Sequence, residues 1–237
     1  MKKYHQSPQG FTLFELLVAL AITGIVITLT GSGLYALMNA NQASQIETTD
    51  RLELERSRDF ITDEIKMSQQ VMTDIPIPSK ISGFRSASGS DRIQPILVLN
   101  PAINSGLTQP IVYYIAEPPN SSVWLGPRVI YRWGPTLLQN GNYSNGHGVD
   151  VSRIPQGGSV QYYNEVLVDR ISDRVAARSS INCESNYNYA APNLADRVGF
   201  YACIAPDRKS VKLWLYKQPN SSGRNQSINA LVLTRSN

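Results

Sequence analysis

Between Glu15 and Glu47 the chain carries no Asp, Glu, Lys or Arg, and the stretch from Leu16 to about Leu37 is strongly apolar. That is roughly the 20 residues a helix needs to cross the hydrocarbon core of a bilayer. Ahead of it, Met1–Gly10 (MKKYHQSPQG) is polar and basic and contains Pro8. A secretory signal peptide has a shorter apolar core followed by a small-residue cleavage site, whereas here a helical pattern continues directly from the apolar run. A plain signal anchor accounts for the length and for Lys2 and Lys3, but not for Glu15. A carboxylate at the centre of a membrane helix costs about 2.5–3.5 kcal/mol, and less near its edge. It still calls for a partner. A cut after Gly10 supplies one: Phe11 then carries a free amine, and Glu15 lies one helical turn away at the i,i+4 spacing.

The segment Gly10-Phe-Thr-Leu-Phe-Glu-Leu-Leu-Val-Ala-Leu20 resembles the signal sequence of type IV prepilins and of type II secretion pseudopilins. The resemblance implies that a membrane peptidase cuts between Gly10 and Phe11 and methylates Phe11. It also implies that Glu15 docks the subunit against the N-terminus of a neighbour. The partners it implies are the prepilin peptidase, other pilins or pseudopilins at a hetero-oligomeric filament tip, and an inner-membrane assembly platform. The chain would then be a single-pass protein of the inner membrane, with Lys2 and Lys3 cytoplasmic and its C-terminal domain periplasmic or extracellular.

From Ala40 to Met72 there is no Pro or Gly. Leu54, Ile61, Ile65 and Met72 fall on one helical stripe, and Phe60, Met67 and Val71 on an adjacent one. Mixed charge covers the other faces, with candidate pairs Glu47/Arg51, Arg51/Glu55, Glu53/Arg56, Glu55/Arg58 and Asp63/Lys66. Pro76 and Pro78 stop the pattern. The spacing predicts one helix from about Phe11 to Asp74, roughly 95 Å long at the α-helical rise. Gly24, Gly31 and Gly33 lie in its apolar half. They fit either the ordinary glycine content of membrane helices or a role in close helix approach or local melting.

Beyond Pro78, short β-prone runs alternate with Ser, Gly, Asn and Pro. Expected strands are Ile93–Leu99, Ile111–Glu117, Arg128–Trp133, Glu165–Ile171, Arg197–Ile204, Val211–Lys217 and Ala230–Thr234. Ala205–Ser210 reads as a hairpin connection, Gln139–Gly148 and Cys183–Asn193 as surface loops, and Asp169–Arg178 has room for a turn or two of helix. The expected fold is α+β and pilin-like: a long N-terminal helix, membrane half plus stalk, packed on a mostly antiparallel sheet. The expected division is leader 1–10, transmembrane and assembly helix 11–38, helical stalk 39–75 and globular β-rich domain 76–237.

Ile111-Val-Tyr-Tyr-Ile115, Val129-Ile-Tyr-Arg-Trp133 and Val166-Leu-Val-Asp-Arg-Ile171 resemble the J-type minor pseudopilins and their W-type pilus relatives. The stalk sequence Arg51–Ile65 is similar to that of pseudopilins of cyanobacterial hormogonium polysaccharide secretion. These likenesses imply a large minor subunit serving export and gliding motility.

Enzyme chemistry finds little footing. With His5 in the leader, His147 is the one histidine of the mature chain, so neither a His-x-x-x-His zinc site nor a supported Ser-His-Asp triad can be built. There is no Walker A loop and no dinucleotide fingerprint. No cofactor and no metal site is expected. Asp150, Asp169, Asp173 and Asp196 lack EF-hand spacing and read as surface carboxylates. Net charge is +4, or about +2 without Lys2 and Lys3, too small and too scattered for a nucleic-acid partner. The aromatics Trp124, Trp133, Tyr143, Tyr162, Tyr163, Tyr187 and Tyr189 fit sheet packing better than sugar stacking. A tip adhesin that binds glycans through loops such as Gln139–Gly148 stands as the rival reading. Cys183 and Cys203 are 20 residues apart, a spacing that suits a disulfide or two free thiols; an oxidising compartment favours the disulfide.

Overall fold

The computed structural model describes residues 11–72, 81–84, 87, 94–102, 105–153, 159–173, 183, 186–189, 198–218 and 226–234. The leader, Gly10, Ile93, Asp196 and Arg197 lie outside them. The chain forms two compact units, Met1–Thr48 and Thr49–Asn237.

One α-helix, α1, runs from Leu13 to Met67. In the second unit its buried face is Asp50, Leu54, Ser57, Ile61, Glu64 and Ile65, the 3–4-residue periodicity of a helix laid on a core. Two of the expected surface pairs form, Arg51–Glu55 at 3.0 Å and Asp63–Lys66 at 2.9 Å. Arg58 instead meets Asp59 at 2.6 Å, and Glu53 turns to Lys217.

The helix ends earlier than expected. It stops at Met67, and Ser68–Val71 forms strand β1 instead of continuing to Asp74. The Ser68 hydroxyl donates to the Ile65 carbonyl at 2.7 Å, satisfying one of the orphan acceptors of the last turn. Ser68, Gln70 and Val71 then pair with Pro101, Asn100 and Leu99. Val71 is fully buried, but from the sheet.

The remaining strands are β2 (Gln94–Pro101), β3 (Ile111–Ala116), β4 (Arg128–Gly134), β5 (Tyr163–Ile171), β6 (Asn188–Tyr189), β7 (Phe200–Ile204), β8 (Ser210–Lys217) and β9 (Gln226–Leu233). They form one nine-stranded sheet in the order β1-β2-β3-β4-β5-β8-β7-β6, with β9 on β8, and every pair is antiparallel. The expected α+β arrangement is therefore the observed one. β6 falls within Cys183–Asn193, expected to be loop, and residues 169–171 belong to β5, as in the expected strand Glu165–Ile171, and not to a turn of helix. Ala205–Ser210 is the β7–β8 hairpin connection, closed by Ala205 N–H to the Ser210 carbonyl at 2.8 Å.

Strands β2–β4 are buried on both faces, which is why they read as continuous apolar runs. Leu97, Leu99, Ile111, Tyr113, Ile115 and Ile130 join Leu54, Ile61 and Ile65 of α1 in the main core. Their neighbours Val98, Val112, Tyr114, Val129, Tyr131 and Trp133 face a second core closed by Ile81 and Phe84. Full burial of each such aliphatic or Phe side chain contributes about 1.5–3 kcal/mol. Trp133 and Tyr143 are core residues here, and not surface aromatics.

The β5–β8 junction is a single pairing, Ile171 with Lys217. Gly199 sits against it at φ 50°, its carbonyl accepting from Tyr216 N–H at 2.6 Å. A Cβ at Gly199 would collide with Ile171 and with the Ser172 carbonyl. Cys203 of β7 is joined to Cys183 in a disulfide, with the Cα atoms 5.7 Å apart.

Candidate assembly site

The N-terminal unit begins with a helix cap. Thr12 precedes the first helical residue, Leu13, and Glu15 stands at the third helical position. The Glu15 carboxylate accepts from the Thr12 backbone N–H at 2.9 Å and from its hydroxyl at 3.0 Å. The Thr12 hydroxyl in turn accepts from Glu15 N–H at 3.4 Å. This is a reciprocal capping box, which satisfies backbone donors left open at the helix start. It also puts negative charge where the helix dipole favours it.

Behind the cap the helix exposes apolar side chains on every side, from Phe11 (90% exposed) through Leu13, Phe14, Ile22, Ile25 and Leu29 to Met38. A helix hydrophobic all round is a buried or membrane-spanning helix. Its hydroxyl groups are satisfied within the helix. Thr23 donates to the Ala19 carbonyl at 2.7 Å, Thr30 to Val26 at 2.7 Å and Ser32 to Leu29 at 3.0 Å. Among the described residues α1 alone is long and apolar enough to cross a membrane, and its apolar window is not buried.

The structure therefore puts Phe11, Thr12 and Glu15 together at one helix terminus. In the uncut chain residue 11 has no free amine, and Thr12 occupies the Glu15 carboxylate. Thr12 is the member of this group that sequence reasoning missed. Its signal was the Thr-x-x-Glu spacing of Thr12 and Glu15.

Two further charged groups, both in the second unit, escaped the sequence. Glu64 of α1 and Arg132 of β4 are fully buried and form an ion pair. Arg132 Nε donates to Glu64 at 2.9 Å, and its other nitrogens donate to Glu165 at 3.1 Å and to the Pro135 carbonyl at 2.8 Å. The Tyr113 hydroxyl donates to Glu64. Burial, and then the Glu64 carboxylate, hold the Tyr113 phenol well above its ordinary pKa. For Arg132, burial opposes the charge, but Glu64, Tyr113 and Glu165 outweigh it and strengthen its hold on the proton. Near the start of the unit, buried Lys217 lies 3.1 Å from Asp50 and also pairs with Glu53, while Arg170 pairs with Asp50. These groups pin the helix to the sheet. Among the described residues each of these charges has a partner, so they serve as structural locks.

The Gln139–Gly148 segment is a compact loop tied by bridges Leu137–Tyr143 and Ser144–Asp150. His147 is exposed, its N–H bonded to the Asn145 side chain at 2.8 Å. Asp150 accepts from Ser152 and Asn142, and those hydrogen bonds pull its pKa to about 2. Asp169 accepts from Leu125 N–H, and Asp173 is exposed.

A family model described as the prokaryotic N-terminal methylation motif matches residues 6–31. No curated protein and no solved structure matches the chain. The motif supports a type IV pilin- or pseudopilin-like chain, a structural subunit rather than an enzyme. Such a motif implies, in general terms, a prepilin peptidase and assembly with other pilins. Together with the exposed apolar helix it fits a single-pass membrane anchor.

Proposed function

We propose that this chain is a minor pilin or pseudopilin, cut between Gly10 and Phe11, methylated at Phe11 and assembled through Glu15 into a type IV pilus-like or type II secretion-like filament. The observation that carries this reading is the methylation-motif match over residues 6–31, which from Leu13 onward lies on an exposed apolar helix whose first turn holds Glu15. Lys2 and Lys3 keep the leader in the cytoplasm. Cleavage frees the Phe11 amine, and the Glu15 carboxylate then exchanges its own cap for the amine of a neighbour. In a low-dielectric helix bundle that charge pairing is far stronger than in water. The unit from Thr49 onward, with its disulfide, faces the periplasm or the exterior, where disulfides persist.

The finer reading is a J/W-type minor subunit, close to the HpsC-type pseudopilins, serving polysaccharide or protein export and motility. It is supported by the segments Ile111–Ile115, Val129–Trp133 and Val166–Ile171, which lie on the neighbouring strands β3, β4 and β5, and by the stalk sequence Arg51–Ile65. The exposed Asn140–Asn142 and His147 of the Gln139–Gly148 loop favour the second reading, a glycan-binding tip subunit.

Cross-linked pull-down of the tagged chain from its native membrane separates the two. Recovery of other minor pseudopilins and polysaccharide-export proteins supports the export reading. Recovery of a major pilin with adhesive pilus components, together with sugar affinity of the purified protein, overturns it in favour of the tip adhesin.

A further inference from the structure

An unpaired strand edge offers rows of N–H and C=O groups to another chain, and folded proteins shorten, charge or cover such edges. The sides of β1, β5 and β6 left open by the pairing are managed in that way. β1 has four residues, and its Val71 N–H donates to the Arg208 carbonyl at 2.9 Å. β6 has two residues. β5 meets β8 only at Ile171, carries Glu165, Asp169 and Arg170, and gives its Leu167 carbonyl to the Ser57 hydroxyl of α1 at 3.2 Å.

β9 is left unguarded. All eight of its residues, Gln226–Leu233, pair with β8, and among the described residues no strand lies on its other side. It contains no Asp, Glu, Lys, Arg, Pro or Gly. Its register decides which groups face outward. Thr234 N–H donates to the Lys209 carbonyl at 2.7 Å, one step beyond the pairing of Leu233 with Ser210. Hydrogen-bonded positions alternate along an antiparallel pair. Ile228, Ala230 and Val232 therefore bond to β8, and the backbone groups of Ser227, Asn229, Leu231 and Leu233 point to the open edge. The side chains of those four residues are exposed, Leu231 at 63% and Leu233 at 65%, while Ile228, Ala230 and Val232 pack on the main core.

The edge fits an extended, uncharged segment of similar length with apolar side chains on one face. Among the described strands β9 itself meets that description, since β1 and β6 are too short and β5 is charged and occupied. Same edge against same edge, with both core faces on one side, makes the two strands antiparallel about a two-fold axis. Outward groups meet outward groups only where odd-numbered residues stand opposite odd-numbered ones. The register centred on Leu231 does this. It sets Leu231 opposite Leu231 of the second copy and Leu233 diagonal to it, so four exposed leucines cover one another.

We infer that β9 is a docking edge for a second copy of this chain, the two sheets joining by antiparallel β9–β9 pairing centred on Leu231. The contact is small beside that of a permanent dimer, so the pairing is reversible. It depends neither on the N-terminal unit nor on the pilin reading.

The test uses the full chain in detergent micelles, with two readouts that association through the apolar helix alone does not produce. Leu231→Cys should form a covalent dimer under mild copper-phenanthroline oxidation, because opposite Cα atoms in a hydrogen-bonded pair lie roughly 5.5 Å apart, within disulfide reach. Ser227→Cys should not, since that register sets the two copies of residue 227 about 27 Å apart. In hydrogen exchange, the amides of Asn229, Leu231 and Leu233 should slow at least tenfold between dilute and concentrated protein. Leu231→Lys should abolish that slowing and leave Ala230 and Val232 protected, which shows the strand still folded. A dimer in which these three amides stay fast and Leu231→Cys does not cross-link overturns the inference. If protection appears only when other pilin subunits are added, the occupant is a different subunit and the self-pairing is wrong.

Discussion

Glu15 accepts a hydrogen bond from the backbone N–H of Thr12 at 2.9 Å, so the carboxylate proposed to dock a neighbouring subunit caps its own helix in the uncut chain. The two roles need different properties of the side chain. A capping box works with Glu or Gln, whereas pairing with an amine needs the negative charge.

Glu15→Gln therefore separates them. We expect Glu15→Gln, like Glu15→Ala and Glu15→Leu, to be cleaved normally and to fail in assembly, measured as filament-associated protein against total processed protein. Normal assembly of Glu15→Gln with failure of Glu15→Ala would reduce Glu15 to a helix cap.

The Glu64–Arg132 pair predicts a non-additive pattern. Removing one partner of a buried ion pair strands the other and costs about 3–5 kcal/mol. Glu64→Leu and Arg132→Leu should each destabilise the second unit by that amount in chemical denaturation. The double variant should cost less than the sum of the two. Additive losses would show that the two side chains do not act as a pair.

At Gly199 the backbone and the surroundings make the same demand. With φ at 50° and Ile171 and Ser172 against the missing Cβ, Gly199→Ala should destabilise by about 1–3 kcal/mol from backbone strain, before any clash is counted. Hydrogen exchange should locate the damage at the β5–β8 junction. Unchanged protection of Tyr216 N–H, which bonds to the Gly199 carbonyl, would contradict it.

Asp150 gives a pH dependence with a defined sign. Hydrogen bonds from Ser152 and Asn142 lower its pKa to about 2, against roughly 3.9 in an unfolded chain. The folded state thus binds fewer protons in that window. Its contribution is complete above about pH 4 and is lost as pH falls through 2. Carboxyl NMR titration should place the Asp150 midpoint near 2, and Asp150→Asn should remove that acid-side step. A midpoint near 3.9 would mean that the Asn142–Ser152 cradle does not form.

The legibility of the chain follows from how local each signal is. The apolar run is a property of consecutive residues, so it could be read directly, whereas the Thr12/Glu15 cap, equally local in its Thr-x-x-Glu spacing, was missed. Strands β3 and β4 announced themselves as β-prone runs bounded by turn residues. Strand β1 did not, because Ser68–Val71 continues the helical spacing of Met67 and Val71 without Gly or Pro; pairing with β2, some thirty residues on, overrides that local preference. The charged locks were hidden for a related reason. Glu64 and Asp50 occupy positions on the apolar stripe itself, one turn from Ile61 and Leu54. That marks them as buried, but their partners Arg132, Arg170 and Lys217 are visible only once the sheet is folded. The open edge of β9 was unreadable because which strands border a sheet is a property of the finished pairing.

The central claim is the processed N-terminus, and intact-mass analysis of the protein taken from its native membrane tests it most directly. The account predicts a chain beginning at Phe11 with one added methyl group on its amine. A chain that still carries Met1–Gly10 would contradict it.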